Sequence, residues 1–250
     1  MKDLRDTRVL ITGAAVRIGR GIALAMARAG AAVAVHYHRS EAEAAALLAE
    51  LESISSGHCV TGADLRISQQ RDALIPGLLE RGFGLNCLVN NASFYRRSPL
   101  LAITAEQWDE DYGLNFLAPF RLMCDFARLC KHGCIINILD QRVTGIDPSA
   151  GAYGFAKKSL RNATEAAAVQ WAPDIRVNGV APGFVFPPPG VAVEKMAKFL
   201  AGIPAGKAST PEEVAEACVF LAGSETITGQ ILFVDGGLHL VRQAVAEKDG

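Results

Sequence analysis

The chain has 250 residues, of which 50 % are hydrophobic and 20 % charged, a composition typical of a soluble globular chain. Its 25 Lys and Arg residues against 26 Asp and Glu residues leave a net charge of −1, and no basic block is present to neutralise phosphates, so we expect no nucleic-acid partner and no membrane partner. The polar first residues do not fit a secretory signal, and the longest apolar stretch, 22–35, is too short to span a bilayer. We therefore expect a cytoplasmic protein that binds a small molecule.

Apolar runs alternate with helical patterns along the whole chain. The short runs predict strands over 8–12, 32–36, 58–63, 87–90, 134–139, 175–180 and 230–234. Apolar residues at helical spacing predict helices over 18–29, 41–52, 68–80, 105–131, 153–171 and 210–222. The strands are apolar throughout instead of alternating, which is typical of a parallel sheet covered on both faces. We predict an α/β fold, a single-domain doubly wound parallel sheet over 1–250, with 241–250 as a candidate disordered tail and ligands beyond the carboxyl ends of the strands.

The cysteines do not suggest a disulfide framework or a metal site. They stand at 59, 87, 124, 130, 134 and 218 without any C-x-x-C pair. Cys130, His132 and Cys134 offer soft ligands, but no second pair completes a tetrahedral zinc site. We expect reduced core thiols and no metal.

A glycine-rich turn, 12–21, separates the first strand from the first helix. Gly13 allows a tight bend and Gly19 lets a pyrophosphate approach, while the helix N-terminus supplies N–H groups and a positive dipole end. Many loops contain three glycines within nine residues, so the position directly after the first strand carries the argument. The turn predicts a dinucleotide site.

The segment after the second strand indicates which dinucleotide binds. NAD-preferring proteins place an acid here on the ribose hydroxyls, whereas this chain has His36 to Ser40 with no acid before Glu41. Arg39, with the donors of His38 and Ser40, suits a 2′-phosphate, so NADPH is favoured over NADH. The alternative is an exposed loop whose Arg and His contact nothing.

Tyr153 and Lys157 lie four residues apart on one predicted helical face. A nearby cation stabilises a phenolate and lowers the pKa of the phenol from about 10, which makes the pair a candidate general acid and base. This spacing is common by chance. It becomes specific together with the glycine turn, Asn91 with its neighbours, and Asn115.

These motifs resemble the short-chain dehydrogenase/reductase family over about residues 8–240. The resemblance implies that Asp64 and Leu65 border the adenine, that Asn91 stabilises the central strand, and that Asn115 holds a water linked to Lys157. It also implies a homotetramer and the same doubly wound Rossmann sheet. The predicted cofactor-binding residues are Gly13, Arg17, Ile18, Gly19, His36, His38, Arg39, Ser40, Asp64, Leu65, Asn91, Ala92, Ser93, Tyr153, Lys157, Pro182 and Gly183.

Two departures from the family pattern narrow the choice of substrate class. Arg17 replaces the middle glycine of the turn, and Asp140 replaces the serine that lies thirteen residues before the tyrosine. A carboxylate cannot donate a hydrogen bond to a developing alkoxide unless it is protonated, but it can help to relay a proton to a ring nitrogen. The predicted catalytic residues are Tyr153, Lys157, Asp140 and Asn115.

With these changes the chain looks like the pteridine reductase and dihydromonapterin reductase branch. That branch implies NADPH-dependent reduction of a dihydropterin, with hydride to the carbon of a C=N bond and a proton to its nitrogen. The implied substrate residues are Arg17, Ser93, Phe94, Tyr95, Asp140 and Tyr153. Either Phe94 or Tyr95 stacks on the pterin ring, and the sequence leaves the choice open.

Some features leave alternatives open. After Pro182 and Gly183 the family commonly has a hydroxyl residue, but the loop to 190 has none, and its phenylalanines line a pocket or belong to the core. His239 reaches a substrate pocket or makes a subunit contact. Two further functions compete: a carbonyl or 3-oxoacyl reductase, which needs a donor at position 140, and a non-catalytic NADPH-binding sensor module.

Overall fold

The computed structural model describes residues 3–186 and 200–241. Seven strands form one sheet: β1 Arg8–Ile11, β2 Ala32–Tyr37, β3 Cys59–Gly62, β4 Cys87–Asn90, β5 Gly133–Ile138, β6 Ile175–Pro182 and β7 Ile231–Val234. Every pairing is parallel, and the spatial order is β3-β2-β1-β4-β5-β6-β7. The predicted parallel sheet is confirmed. Because the strand order reverses between β1 and β4, a crevice opens at their carboxyl ends.

The helices follow the predicted pattern with two interruptions. They are α1 Arg17–Arg28, α2 Glu41–Glu52, α3 Ser68–Asp72, α4 Leu74–Glu80, α5 Ala105–Tyr112, α6 Ala118–Leu129, α7 Gly151–Gln170 and α8 Pro211–Ala222. The helix predicted over 68–80 divides at Ala73. The one predicted over 105–131 contains a π-helical turn, Gly113–Leu117, and ends at Leu129. Such a turn frequently marks a functional site, and here it contains the buried Asn115.

Helices cover both faces of the sheet, as predicted. Along β1, the side chains of Val9 and Ile11 belong to a core formed with residues of α1, α2 and α8. The intervening Leu10 belongs to the opposite core, formed with residues of α4, α6 and α7. All three strand residues are fully buried. This two-sided burial explains why the strands are apolar throughout.

The cysteines in the described residues are free thiols; Cys87, Cys134 and Cys218 are buried as expected, whereas Cys59, Cys124 and Cys130 are only partly buried. Cys87 and Cys134 are buried register partners of β4 and β5, with their Sγ atoms 3.3 Å apart. Burial raises the pKa of the half-buried Cys130 to about 11, which leaves that thiol unreactive. Within the described residues, no helix combines the length and hydropathy that a bilayer crossing requires. The candidate tail beyond Val241 and the loop segment 187–190 lie outside the described residues.

Candidate active site

A cavity of about 610 Å³ lies where β1, β2, β3 and β4 end, a size that suits a small-molecule ligand. Most of the predicted cofactor-binding residues line it: Gly13, Arg17, Ile18, Gly19, His36, His38, Arg39, Ser40, Asp64, Leu65, Asn91, Ala92 and Ser93. Phe94 lines it as well, together with Arg66, Arg96, Glu110 and Leu114, which the sequence analysis did not select as site residues. The structure therefore brings the separated motifs to one crevice.

The glycine turn is packed too tightly for side chains at two positions. Gly13 has a φ of +63°, and a Cβ there would lie 3.1 Å from the Cα of Ala92. A Cβ at Gly19 would lie 2.2 Å from the carbonyl oxygen of Gly13 and 2.6 Å from Nδ2 of Asn91. Glycine at position 19 is thus required by the fit of α1 against the turn itself, a nearer reason than the predicted approach of a pyrophosphate.

Asn91 and Thr12 join the turn to the end of β4. Nδ2 of Asn91 donates to the carbonyl oxygens of Thr12, at 2.9 Å, and Gly13, at 3.0 Å. The buried Thr12 hydroxyl accepts from the backbone N–H groups of Asn91 and Ala92, each at 2.9 Å. These bonds fix the turn after β1 to the end of β4.

His36 borders the cavity, but its ring is used inside the protein. Nδ1 accepts from the N–H of Gly13 at 3.1 Å, and Nε2 donates to the carbonyl oxygen of Ala63 at 3.1 Å. Burial lowers the pKa of His36 to about 4, so the ring is neutral at physiological pH. Neither ring nitrogen remains for a cofactor atom, and His36 supports the glycine turn instead.

Positive charge dominates the part of the cavity beyond β2. Arg39 and Arg17 have no carboxylate partner among the described residues, and the guanidinium of Arg17 lies 4.6 Å from the ring centroid of Phe186. Asp64 is held by two hydrogen bonds from the Arg66 guanidinium, which lower the pKa of that carboxyl to about 2. Nε2 of His38 lies 3.3 Å from Asp64. The Asp64 carboxylate, which lines the same cavity, is therefore paired with Arg66.

A second group of residues forms what we call the proton-transfer cluster: Asp140, Arg142, Tyr153 and Tyr95. The Tyr153 hydroxyl donates to Oδ2 of Asp140 at 2.9 Å. The buried Lys157, one turn along α7, donates from Nζ to the carbonyl oxygen of Ile138 at 2.7 Å and lies 5.8 Å from the ring centroid of Tyr153. The predicted catalytic tyrosine, lysine and aspartate are thus neighbours in space.

The electrostatics of Tyr153 differ from the sequence-based expectation. Burial, and then the adjacent Asp140 carboxylate, raise the pKa of Tyr153 well above its ordinary value. Burial also lowers the pKa of Lys157 to about 8. The predicted lowering of the Tyr153 pKa by Lys157 is therefore wrong, since burial and the carboxylate outweigh the opposing charge of Arg142. Tyr153 is therefore protonated at neutral pH and donates a hydrogen bond to Asp140.

Arg142 is the residue of this cluster that the sequence analysis missed. Its Nη1 donates to Oδ2 of Asp140 at 2.9 Å, and its backbone N–H donates to Oδ1 at 2.8 Å. Its Nε donates to Oδ2 of Asp147 at 2.9 Å, and its guanidinium lies 5.1 Å from the ring centroid of Tyr95. The available signal was an arginine two residues after an unusual aspartate at a strand end.

Asn115 uses its side-chain amide to bind the segment after β4. Its Oδ1 accepts from the hydroxyl of Ser93 at 2.6 Å and from the N–H of Phe94 at 3.3 Å. Its Nδ2 donates to the carbonyl oxygens of Phe94 and Asp111, at 2.9 and 2.8 Å. Both donors and both acceptor positions of the amide are occupied, so Asn115 fixes the segment after β4. The water linked to Lys157 stays a prediction.

That segment connects the cavity with the cluster. Phe94 lines the cavity, and the guanidinium of Arg96 lies 5.3 Å from its ring centroid. The ring of Tyr95 meets that of Tyr153 edge-on, with centroids 5.0 Å apart. Adjacent aromatic residues therefore serve different parts of the site.

The remaining predicted residues lie outside the cavity lining. Pro182 ends β6, and the N–H of Gly183 donates to the carbonyl oxygen of Val234 at 2.8 Å. Nδ1 of His239 pairs with Asp235 at 2.8 Å, and its ring stacks on that of Phe233, with centroids 3.9 Å apart. These residues pack together at the end of β7, and His239 does not reach the cavity.

Known proteins resemble the chain over nearly its whole length. A family model described as enoyl-(acyl carrier protein) reductase matches residues 13–239. A crystal structure of FolM alternative dihydrofolate reductase 1 from Brucella canis, complexed with NADP, has a TM-score of 0.89 at 32 % identity and covers 98 % of this chain and 99 % of its own. The Brucella suis protein of that name, also in complex with NADP, has a TM-score of 0.90 at 31 % identity, covering 97 % and 98 %. A 3-oxoacyl-(acyl-carrier-protein) reductase of Chlamydia trachomatis is 32 % identical over 241 residues, 92 % of this chain and 96 % of that protein.

Proposed function

The chain belongs to the short-chain dehydrogenase/reductase family, and from that premise we propose that this oxidoreductase uses NADPH to reduce a dihydropterin-type substrate to its tetrahydro form. Asp140 carries the proposal. Its carboxylate accepts hydrogen bonds from both Tyr153 and Arg142. A carboxylate in that state has no proton to donate to a developing alkoxide, which is unfavourable for ketone reduction. It is compatible with protonation of a ring nitrogen next to Tyr153.

The charges of the cavity support NADPH as the cofactor. A 2′-phosphate needs cationic or neutral donors, and Arg39, Ser40 and Arg17 line the cavity on the side of β2 and the glycine turn. Asp64, an acid in the cavity lining, is paired with Arg66. Two similar proteins were crystallised with NADP. The bound cofactor would supply the hydride.

The residues of the chain would supply the proton. Reduction of a C=N bond adds one hydride to carbon and one proton to nitrogen, and the protonated Tyr153 hydroxyl is the proposed proton donor. Lys157 and Arg142 are the cations placed to stabilise the phenolate that remains until solvent protonates it again. Phe94 is the aromatic residue proposed to stack on the pterin ring, because it lines the cavity while Tyr95 packs against Tyr153.

The test is loss of NADPH absorbance with purified protein and four substrates in one buffer: dihydromonapterin, dihydrobiopterin, dihydrofolate and an acetoacetyl thioester. Turnover confined to the pterins or folate supports the proposal. Turnover of the thioester alone overturns it in favour of a 3-oxoacyl reductase, the second candidate, which the Chlamydia relative favours. Tight NADPH binding without any turnover would favour the sensor module.

The proposal extends to a homotetramer in the cytoplasm. Trp108 of α5 and Phe155 of α7 are exposed aromatic residues with ring centroids 5.7 Å apart, and Val169 near the end of α7 is 82 % exposed. Exposed apolar helix surface of this kind is a common site of protein contact. Sedimentation at micromolar concentration is expected to give a tetramer, and a monomer would overturn this part of the proposal.

A further inference from the structure

We propose that Arg142 is a positioning residue for proton transfer: it holds the carboxylate of Asp140 and the ring of Tyr95 against Tyr153, and its charge sets how readily the tyrosine gives up its proton. The inference concerns the reductase chemistry of the site and applies to whichever substrate the enzyme reduces. It is therefore independent of the pterin assignment.

The guanidinium of Arg142 is held from three directions. Asp140 accepts from Nη1 and Asp147 accepts from Nε, each at 2.9 Å, while the ring of Tyr95 lies against the guanidinium face. Asp147 is itself fixed, because Oδ1 accepts from the N–H and the hydroxyl of Ser149, at 3.0 and 2.7 Å. A planar guanidinium can make two such bonds and a stacking contact at once, which a lysine cannot.

One oxygen atom connects Arg142 to the tyrosine. Oδ2 of Asp140 accepts from Nη1 of Arg142 and from the hydroxyl of Tyr153, each at 2.9 Å. The second carboxylate oxygen accepts from the backbone N–H of Arg142 at 2.8 Å. Arg142 thus fixes the orientation of the whole carboxylate, and the carboxylate in turn fixes the direction of the Tyr153 hydroxyl.

Tyr95 gives a second, separate connection. Its ring lies between the guanidinium of Arg142, at 5.1 Å, and the ring of Tyr153, at 5.0 Å. Loss of Arg142 would therefore remove support from Tyr153 on both its hydroxyl and its ring. If Arg142 only stabilised its own loop, its ion pair with Asp147 would be sufficient, and the contacts with Asp140 and Tyr95 would not be needed.

The charge of Arg142 acts on Tyr153 in a defined direction. Burial and the Asp140 carboxylate raise the pKa of Tyr153, and the nearby guanidinium works against both. The other charged groups nearby are Lys157, one turn along α7, and Asp147 on the far side of the guanidinium. The turn Leu238–Leu240, whose His239 pairs with Asp235, contacts the turn that contains Arg142. Among the described residues, Arg142 is the one cation paired with Asp140.

The experiment compares pH profiles of kcat and KM for the wild type, Arg142→Gln, Arg142→Lys and Asp147→Asn, with a substrate that the wild type reduces. Arg142→Gln removes the charge and keeps a polar side chain. Arg142→Lys keeps the charge and loses the guanidinium geometry. Asp147→Asn loosens the far anchor and leaves the charge beside Asp140. NADPH binding, followed by fluorescence, checks that each variant is folded.

For Arg142→Gln we expect kcat to fall by about tenfold or more. The alkaline limb of the kcat profile should move up by about one pH unit, since an opposite charge at this distance shifts the pKa of a phenol by about that much. The sign follows from the reaction: reduction needs the protonated phenol, and a phenol of higher pKa stays protonated to higher pH but is a weaker acid. KM for NADPH stays unchanged, because Arg142 does not line the cavity.

Arg142→Lys is expected to keep the limb near its wild-type position with a partial loss of kcat, and Asp147→Asn is expected to leave the limb unmoved. An unmoved limb in Arg142→Gln would overturn the proposal, and so would an equal shift in Asp147→Asn. If Arg142→Gln fails to bind NADPH, the lysine variant decides: a limb displaced to higher pH despite the retained charge contradicts the proposal. Wild-type turnover of the thioester instead of a pterin would refute the proposed substrate without touching this test.

Discussion

The cofactor side of the site is built mainly from backbone, whereas the proton-transfer cluster is built from charged side chains. At the glycine turn, Gly19 has no room for a methyl group and Gly13 has little, and Asn91 and Thr12 join main-chain atoms to one another. In the cluster, one carboxylate, one guanidinium and one phenol share hydrogen bonds through a single oxygen. The first region should therefore be sensitive to added volume and the second to changes of charge or loss of a hydroxyl.

The largest effect is expected from Tyr153→Phe, which removes the proton donor and keeps the ring. A positioned acid contributes about 10²- to 10⁴-fold to a rate, so kcat should fall by that factor while NADPH binding persists. Stopped-flow or steady-state NADPH oxidation measures it. Retention of more than about a tenth of wild-type activity would contradict the assignment.

Gly19→Ala should disrupt the packing of the glycine turn on the cofactor side of the site without altering any charge. The new Cβ would lie 2.2 Å from the carbonyl oxygen of Gly13, so the turn or α1 must move. We expect the free energy of unfolding to fall by about 3 kcal/mol, and NADPH affinity to fall with it. Gly77→Ala is the matched control, because a Cβ there meets nothing within 4 Å and alanine favours the helix. Equal stability of the two variants would argue against the tight fit.

His36 predicts how acid affects the turn. Its pKa is about 4 in the folded protein against 6.5 for an exposed histidine. As the pH falls through 6.5, the unfolded chain binds a proton at this histidine that the folded protein does not bind, so the free energy of unfolding should fall by about 1.6 kcal/mol between pH 6.5 and 5. Denaturant titrations at both pH values measure this, with His36→Gln expected to reduce the fall. The exposed His132, changed to Gln, should leave it unaltered.

Arg39→Asp tests charge on the cofactor side, and its effect should be the smallest of the four. Loss of one charge-assisted hydrogen bond and gain of repulsion should weaken NADPH binding by about tenfold or more, with little change for NADH. The matched control is Arg28→Asp, an equal change of charge at an exposed residue at the end of α1, outside the cavity. Equal losses in the two variants would show a general charge effect instead of a phosphate contact.

Much of the fold follows from local pattern. Strands apolar on both faces predict a parallel sheet, and Leu10 between Val9 and Ile11 shows the reason, since successive side chains enter opposite cores. The pairing of Tyr153 with Lys157 was also predictable, because helical geometry alone sets a spacing of four residues on one face. Most of the predicted cofactor residues line the cavity because they follow strands that end at one edge of the sheet.

The roles of particular residues were harder to predict. Asn115 uses its amide on Ser93 and Phe94, which lie 22 and 21 residues earlier in the chain. The ring of His36 is occupied by Gly13 and Ala63, on two other segments. The pKa of Tyr153 depends on burial and on a carboxylate thirteen residues away. Spacing along the chain does not report such contacts.

By itself, the sequence determined the parallel α/β architecture, the glycine turn at its switch point and the residue types available for proton transfer, because these depend on periodicity and on the chemistry of neighbouring residues. Only the tertiary structure decided that Gly19 accommodates the turn, that Asn115 holds the segment after β4, and that burial and the Asp140 carboxylate raise the pKa of Tyr153. Packing clearances and electrostatic fields are sums over groups that the fold brings together from distant parts of the chain.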